Sequence, residues 1–157
     1  MRRVTAALLT VAAGLGLSHE AGAAEPIVTY RITNAEEIPE SLTGAPGDPA
    51  RGAELYEDEP RAGCAACHGM PGAATGDDDP KLEAAPDLSA IGGRLSPGAI
   101  RLWIVAPQVL DPETAMPAYY APGQRLGADD PLYGGPALTA AEIEDLVAYL
   151  AGLGGPD

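Results

Sequence analysis

Positions 64–68 read CAACH, and Cys64 and Cys67 are the only cysteines in a chain of 157 residues. This pentapeptide constrains the fold more than any other feature. Residues three or four apart on a helix share a face, so one turn offers two thiols, and the imidazole of His68 follows directly. The rest of the chain is poor in what usually fills a core, with no Phe, one Trp, 20 Gly and 16 Pro. Small domains are already short of buried area. A chain with so few aromatics needs something besides side chains at its centre.

Four explanations of CAACH compete. A structural zinc site takes four ligands, but the only other histidine, His19, lies in what reads as a removable leader. A thioredoxin-like redox pair belongs beside a strand–helix–strand unit, and no such pattern is visible. A Cys64–Cys67 disulfide would close a tiny loop, stabilise little and leave His68 without a role. The fourth is the C-x-x-C-H signature of haem c attachment. Cys64 and Cys67 then form thioethers with the two vinyl groups, and His68 is the proximal iron ligand. One covalently attached haem c is the expected cofactor.

Haem iron in electron-transfer proteins takes His or Met on its far face. Histidine is exhausted after the leader is removed, which leaves Met70 and Met116. Met70 follows His68 by two residues and is tied to the proximal side. Met116, between Thr114 and Pro117 in a long loop, is therefore the expected distal ligand. Were it not to ligate, the iron would stay open and the chain would read as a sensor or binding cytochrome. The Nδ1 proton of His68 needs an acceptor that fixes the ring, and the Pro86 carbonyl is the candidate. Arg94 reads either as a haem propionate partner or as an ordinary exposed arginine.

Arg2 and Arg3, the apolar run 4–17 and the small residues Ala21-Gly22-Ala23 have the layout of a secretory signal peptide spanning 1–23. The run is too short for a comfortable membrane span, and an uncleaved N-terminal anchor is the alternative. No other segment could cross a membrane. Nine basic against 23 acidic residues give a net charge of −14, and cleavage makes it one unit more negative. Such a surface repels phosphate and argues against nucleic-acid partners.

The pattern along the chain is all-α. Residues 24–47 read as an extended N-terminal arm and 48–157 as one domain. Asp48 is an N-cap with Pro49 behind it, opening a helix through Glu59 that stops by Pro60, with Leu55 and Tyr56 inward. Gly52 would let this helix approach the last one, with Tyr56 and Tyr149 near the crossing. The Asp77–Asp79 run fits a solvated loop better than a calcium site. Residues 85–94 form a loop with Leu88 buried. Ser96 and Pro97 open a helix carrying Ile100, Trp103 and Ile104 on one face, ended by Pro107. After a proline-rich loop, Thr139 and Glu142 make a capping box, and Ile143, Leu146, Val147 and Leu150 form an apolar stripe ending at Gly152.

With these residues in place, the sequence resembles class I cytochromes c, and more narrowly the SoxX family of small haem subunits in bacterial sulfur oxidation. The likeness is carried by IPESLTGAPGDPARGAELY before the haem motif, APDLSAIGGRLS after it, DPETAMPAYY around Met116 and LTAAEIEDLVAYLAGL at the end. The loop after Tyr120 departs from it, with ADDPLYGGP and no lysine. The resemblance implies three to five helices around one covalent haem, with Cys64, Cys67, His68 and Met116 holding it. It also implies a periplasmic chain paired with a larger SoxA-like cytochrome subunit. In that family the pair couples thiosulfate oxidatively to a cysteine of the SoxYZ carrier, with the sulfur chemistry on SoxA, and electrons leave to a downstream acceptor cytochrome. A free carrier shuttling electrons to an oxidase is the alternative. With both thiols consumed and the iron closed by Met116, this chain would move electrons and make no bonds.

Overall fold

The computed structural model describes residues 27–69, 85–123 and 134–154. Met70 and the Asp77–Asp79 run fall outside them. Among the described residues four α-helices follow in order: α1 (Pro49–Glu57), α2 (Cys64–His68), α3 (Pro97–Val105) and α4 (Ala140–Ala151), with 3₁₀ turns at Ile91–Gly93 and Pro107–Val109. Among the described residues there is no strand, only an isolated antiparallel bridge between Thr33 and Glu37.

Local signals start the three longer helices. The Asp48 carboxylate accepts from the Ala50 N–H at 2.8 Å, the Ser96 hydroxyl from Ala99 N–H at 3.1 Å, and the Thr139 hydroxyl from Glu142 N–H at 3.2 Å. Each satisfies a donor that the first turn leaves without an intrahelical partner. The Glu142 carboxylate accepts in return from Thr139 N–H at 2.8 Å, completing the capping box. Helix α1 ends at Glu57, sooner than the sequence suggests. Asp58 turns extended while its N–H still reaches Glu54, because Pro60 disfavours helical geometry at Glu59 and has no N–H to continue the ladder.

Helix α4 is the spine: α1 crosses one side of it and α3 packs along another. Ile143, Leu146, Val147 and Leu150 are all buried, and Leu102 of α3 and Tyr56 of α1 are fully enclosed beside them. Helix α3 differs in detail from its sequence reading. Leu102 and Val105 are buried along with Ile100 and Ile104, whereas Trp103 is half-buried. Leu88 is likewise only half-buried, though packed on the core.

The α1–α4 crossing is unusually close. A Cβ on Gly52 would stand 2.0 Å from the Asp145 carbonyl oxygen and 2.8 Å from the Tyr149 Cβ. Beside it the Tyr56 and Tyr149 rings meet edge-on, with centroids 5.6 Å apart. Asp145 also ties the two helices together. Its carboxylate accepts from the Asp48 N–H at 2.6 Å and from Arg51 Nε and Nη2 at 2.8 and 3.0 Å. Burial raises the Asp145 pKa, but the hydrogen bonds from Arg51 and Asp48 outweigh it, and the net shift is downward from 3.8. A lowered folded-state value contributes stability above the unfolded pKa, and that contribution is lost as the pH falls through the folded value. Asp145→Asn should therefore cost about 2 kcal/mol at pH 7. The gap to wild type should close below about pH 3.8, which urea unfolding at a series of pH values would read. Parallel pH curves for the two proteins would contradict this.

Residues 27–47 lie across the helices. Gly47 fits directly on the α4 backbone, where a Cβ would be 2.1 Å from the Glu144 carbonyl. Ile38 and Leu42 enter the core. The Ile38 N–H donates to the Gly98 carbonyl at 3.0 Å. Beneath them is a buried ion pair, with Arg101 Nε and Nη2 on Glu144 Oε1 and Oε2 at 2.7 and 2.8 Å. The remaining valences go to the crossing segment: Arg101 Nη1 donates to the Ile38 carbonyl at 2.6 Å, and the Leu42 N–H donates to Glu144 Oε1 at 2.9 Å.

Candidate functional site

The CAACH motif is helix α2, and the chain is bent sharply to present it. The Asp58 carbonyl accepts from the N–H groups of Arg61, Ala62 and Gly63, each at 3.0 Å. Gly63 then enters the helix in the left-handed region, at φ 57°, where a side chain would be strained. The helix closes on Gly69, also at positive φ. Two tyrosine hydroxyls hold its ends: Tyr119 Oη donates to the Ala62 carbonyl at 2.9 Å and Tyr56 Oη to the Gly69 carbonyl at 2.8 Å.

No disulfide joins the two cysteines; Cys64 is half-buried and Cys67 exposed. Burial pushes the Cys64 thiol up to about 11. The His68 Nδ1 lies 2.8 Å from the Pro86 carbonyl. A carbonyl can only accept, so Nδ1 carries the proton and Nε2 keeps a lone pair for a metal. The loop that supplies Pro86 is itself braced. Asp87 Oδ1 accepts from the Ser89 N–H at 2.8 Å and from its hydroxyl at 2.6 Å, and Arg94 Nη2 donates to the Asp87 carbonyl at 2.9 Å. Those Ser89 hydrogen bonds hold the Asp87 carboxyl below its ordinary range.

Met116 is half-buried in a loop that leaves α3 through the turn at Pro107–Val109. Its N–H donates to Thr114 Oγ1 at 3.2 Å, and its carbonyl accepts from Gln108 Nε2 at 2.9 Å. Three residues on, the Tyr119 N–H donates to the Ile104 carbonyl, and the Tyr119 carbonyl accepts from Leu138 N–H, both at 3.0 Å. The Tyr119 phenol is pushed up to about 12 by burial first, with Cys64 and then Cys67 adding to the shift. The methionine loop and the cysteine helix thus meet through Tyr119.

The donor set fits a c-type haem. Two cysteines one turn apart, an imidazole with Nδ1 committed, and a methionine on a segment that Tyr119 ties to the entry of α2 are the donors that covalent attachment and axial ligation require. Among the described residues no three His, Cys, Asp or Glu side chains gather as a metal-ion site. A family model for cytochrome c matches residues 49–154. The chain belongs to the cytochrome c family. Membership implies a covalently bound haem c.

Among solved structures, this cytochrome is similar to a chain in the crystal structure of SoxXA from P. pantotrophus. The two are 30% identical, and the match covers 82% of this chain and 95% of that one, with a TM-score of 0.63. The likeness makes the protein a SoxX-like class I cytochrome c. A search of curated proteins finds no match. Among the described residues no helix is long and apolar enough to cross a membrane.

Two parts of this cytochrome's site were not apparent in its sequence. The hydroxyls of Tyr56 and Tyr119 grip α2 across 13 and 57 residues of chain. No short-range pattern marks them. Gln108, whose amide holds the Met116 carbonyl, was equally silent.

Proposed function

We propose that this protein is a periplasmic monohaem cytochrome, exported with residues 1–23 as its leader, and the electron-accepting subunit of a SoxAX-type heterodimer. Cys64 and Cys67 would add their S–H groups across the haem vinyl groups. His68 Nε2 and the Met116 sulfur would take the two axial positions. The haem supplies a one-electron redox couple, with its potential raised by thioether ligation. The chain's own part is to hold that centre still: the Pro86 carbonyl orients the imidazole, and Gln108 and Tyr119 fasten the methionine loop.

The observation that carries this reading is the His68–Pro86 hydrogen bond on a helix bearing both thiols, in a chain matched along its length by one from SoxXA. That the similar chain comes from SoxXA supports a SoxA-like partner here. Joining thiosulfate to a carrier cysteine forms one S–S bond and releases one proton and two electrons. This chain has no thiol to spare for that bond once both cysteines are thioethers. Its place is to receive the electrons one at a time and pass them to a downstream acceptor cytochrome.

Affinity capture of the tagged protein from its native periplasm, followed by mass spectrometry, tests the assignment. A larger cytochrome should co-purify in equal amount. A chain that stays monomeric when co-expressed with a SoxA-type subunit would favour a free electron carrier instead.

A further inference from the structure

Tyr119 does three things at once. Its N–H and carbonyl fasten the chain just after Met116 to Ile104 and Leu138, each at 3.0 Å. Its ring lies half-buried against the core. Its hydroxyl crosses 57 residues of sequence to donate to the Ala62 carbonyl at 2.9 Å, two residues before Cys64. Among the side-chain hydrogen bonds of the described residues, this one joins the segment carrying Met116 to the segment entering α2. Gln108 secures the same loop from the other end, but to α3's side of the site and not to α2.

We propose that Tyr119 is a positioning residue whose hydroxyl sets how firmly the Met116 thioether is held against the iron. This rests on the assignment of Met116 as distal ligand. The physical reason is simple. A haem held by thioethers to Cys64 and Cys67 and ligated by His68 would be tied to α2 on its proximal side and would move with that helix. The distal sulfur rides on a different segment. A bond between the two segments keeps the sulfur at its ligating position at little entropic cost, because the loop is already ordered when it ligates. Cutting that bond leaves the anchors at Ile104, Leu138 and Gln108 in place and loosens only the link between the loop and α2. An external ligand then competes more easily for the vacated position.

The test uses holo protein matured in a host that attaches haem c. Imidazole is titrated into ferric wild type, Tyr119→Phe, Met116→Ala and Asp48→Ala, and binding is followed by absorption. Tyr119→Phe keeps the ring and removes only the hydroxyl. Losing one such bond should raise the apparent imidazole affinity about three- to tenfold and weaken the thioether-to-iron charge-transfer band. Asp48→Ala removes the α1 cap at a comparable cost in stability, far along the chain from Met116, and serves as the control. The inference stands if Tyr119→Phe shows the gain and Asp48→Ala binds imidazole as wild type does. Wild-type affinity in Tyr119→Phe overturns it, and so does an equal gain in both variants, which would mean general loosening. If Met116→Ala retains the charge-transfer band, the ligand assignment itself is wrong and the inference falls with it.

Discussion

Glu144→Ala should lower the unfolding free energy by about 3–5 kcal/mol. The Glu144 and Arg101 side chains are 3% and 5% exposed, so truncating one strands a buried guanidinium with no counter-charge. The Leu42 N–H loses its acceptor in the same step, and a buried unsatisfied donor adds its own penalty. The pair is two-pronged, and its members also bond the backbone of the crossing segment at Ile38 and Leu42. The loss should thus appear as detachment of residues 27–47 before global unfolding. Hydrogen exchange at Ile38 and Leu42 would report it, alongside urea unfolding of the holo protein. Replacing both partners, as Arg101→Met with Glu144→Leu, should recover only the part of the loss that comes from the stranded charge, because the Leu42 N–H and the Ile38 carbonyl still lack their partners. A loss under about 1 kcal/mol for Glu144→Ala would instead mean that water reaches the pair.

Gly52→Val should destabilise the protein by about 3 kcal/mol or more, lowering Tm by roughly 10 °C. The reason is a collision with backbone and not with a yielding side chain. The added Cβ would sit 2.0 Å from the Asp145 carbonyl oxygen, so α1 and α4 must separate. Separation breaks the Tyr56–Tyr149 edge contact and lengthens the Asp145 bonds to Asp48 and Arg51. It also reaches the site. Tyr56 lies on α1, and its hydroxyl holds the Gly69 carbonyl, next to His68. Gly52→Val should accordingly alter the haem absorption spectrum as well as Tm, in a thermal scan followed in the Soret region. Unchanged stability would show that the helices can move apart freely.

The crossing at Gly52 could be expected from sequence because glycine in the middle of a helix is costly and usually has a packing reason. The partner atom could not. The same division holds at the site. The acceptor for His68 Nδ1 was identifiable beforehand as Pro86, and the distance of 2.8 Å agrees. Arg94 had two readings, and the structure engages it with the Asp87 carbonyl, bracing the loop that carries Pro86. Arg101 and Glu144 look in sequence like two more surface charges on amphipathic helices. Nothing within a few residues of either says that both are enclosed.

The sequence alone determined whatever depends on neighbours along the chain. The two thiols and imidazole of CAACH, the caps at Asp48, Ser96 and Thr139, and the α4 stripe all follow from spacings of four residues or fewer, because one helical turn is that long. Tertiary structure decided the contacts whose partners lie tens of residues apart. Arg101 meets Glu144 across 43 residues, Leu42 meets Glu144 across 102, and Tyr119 meets Ala62 across 57. Such pairs form only after the helices have packed, and burial then turns an ordinary polar side chain into one that must find its partner.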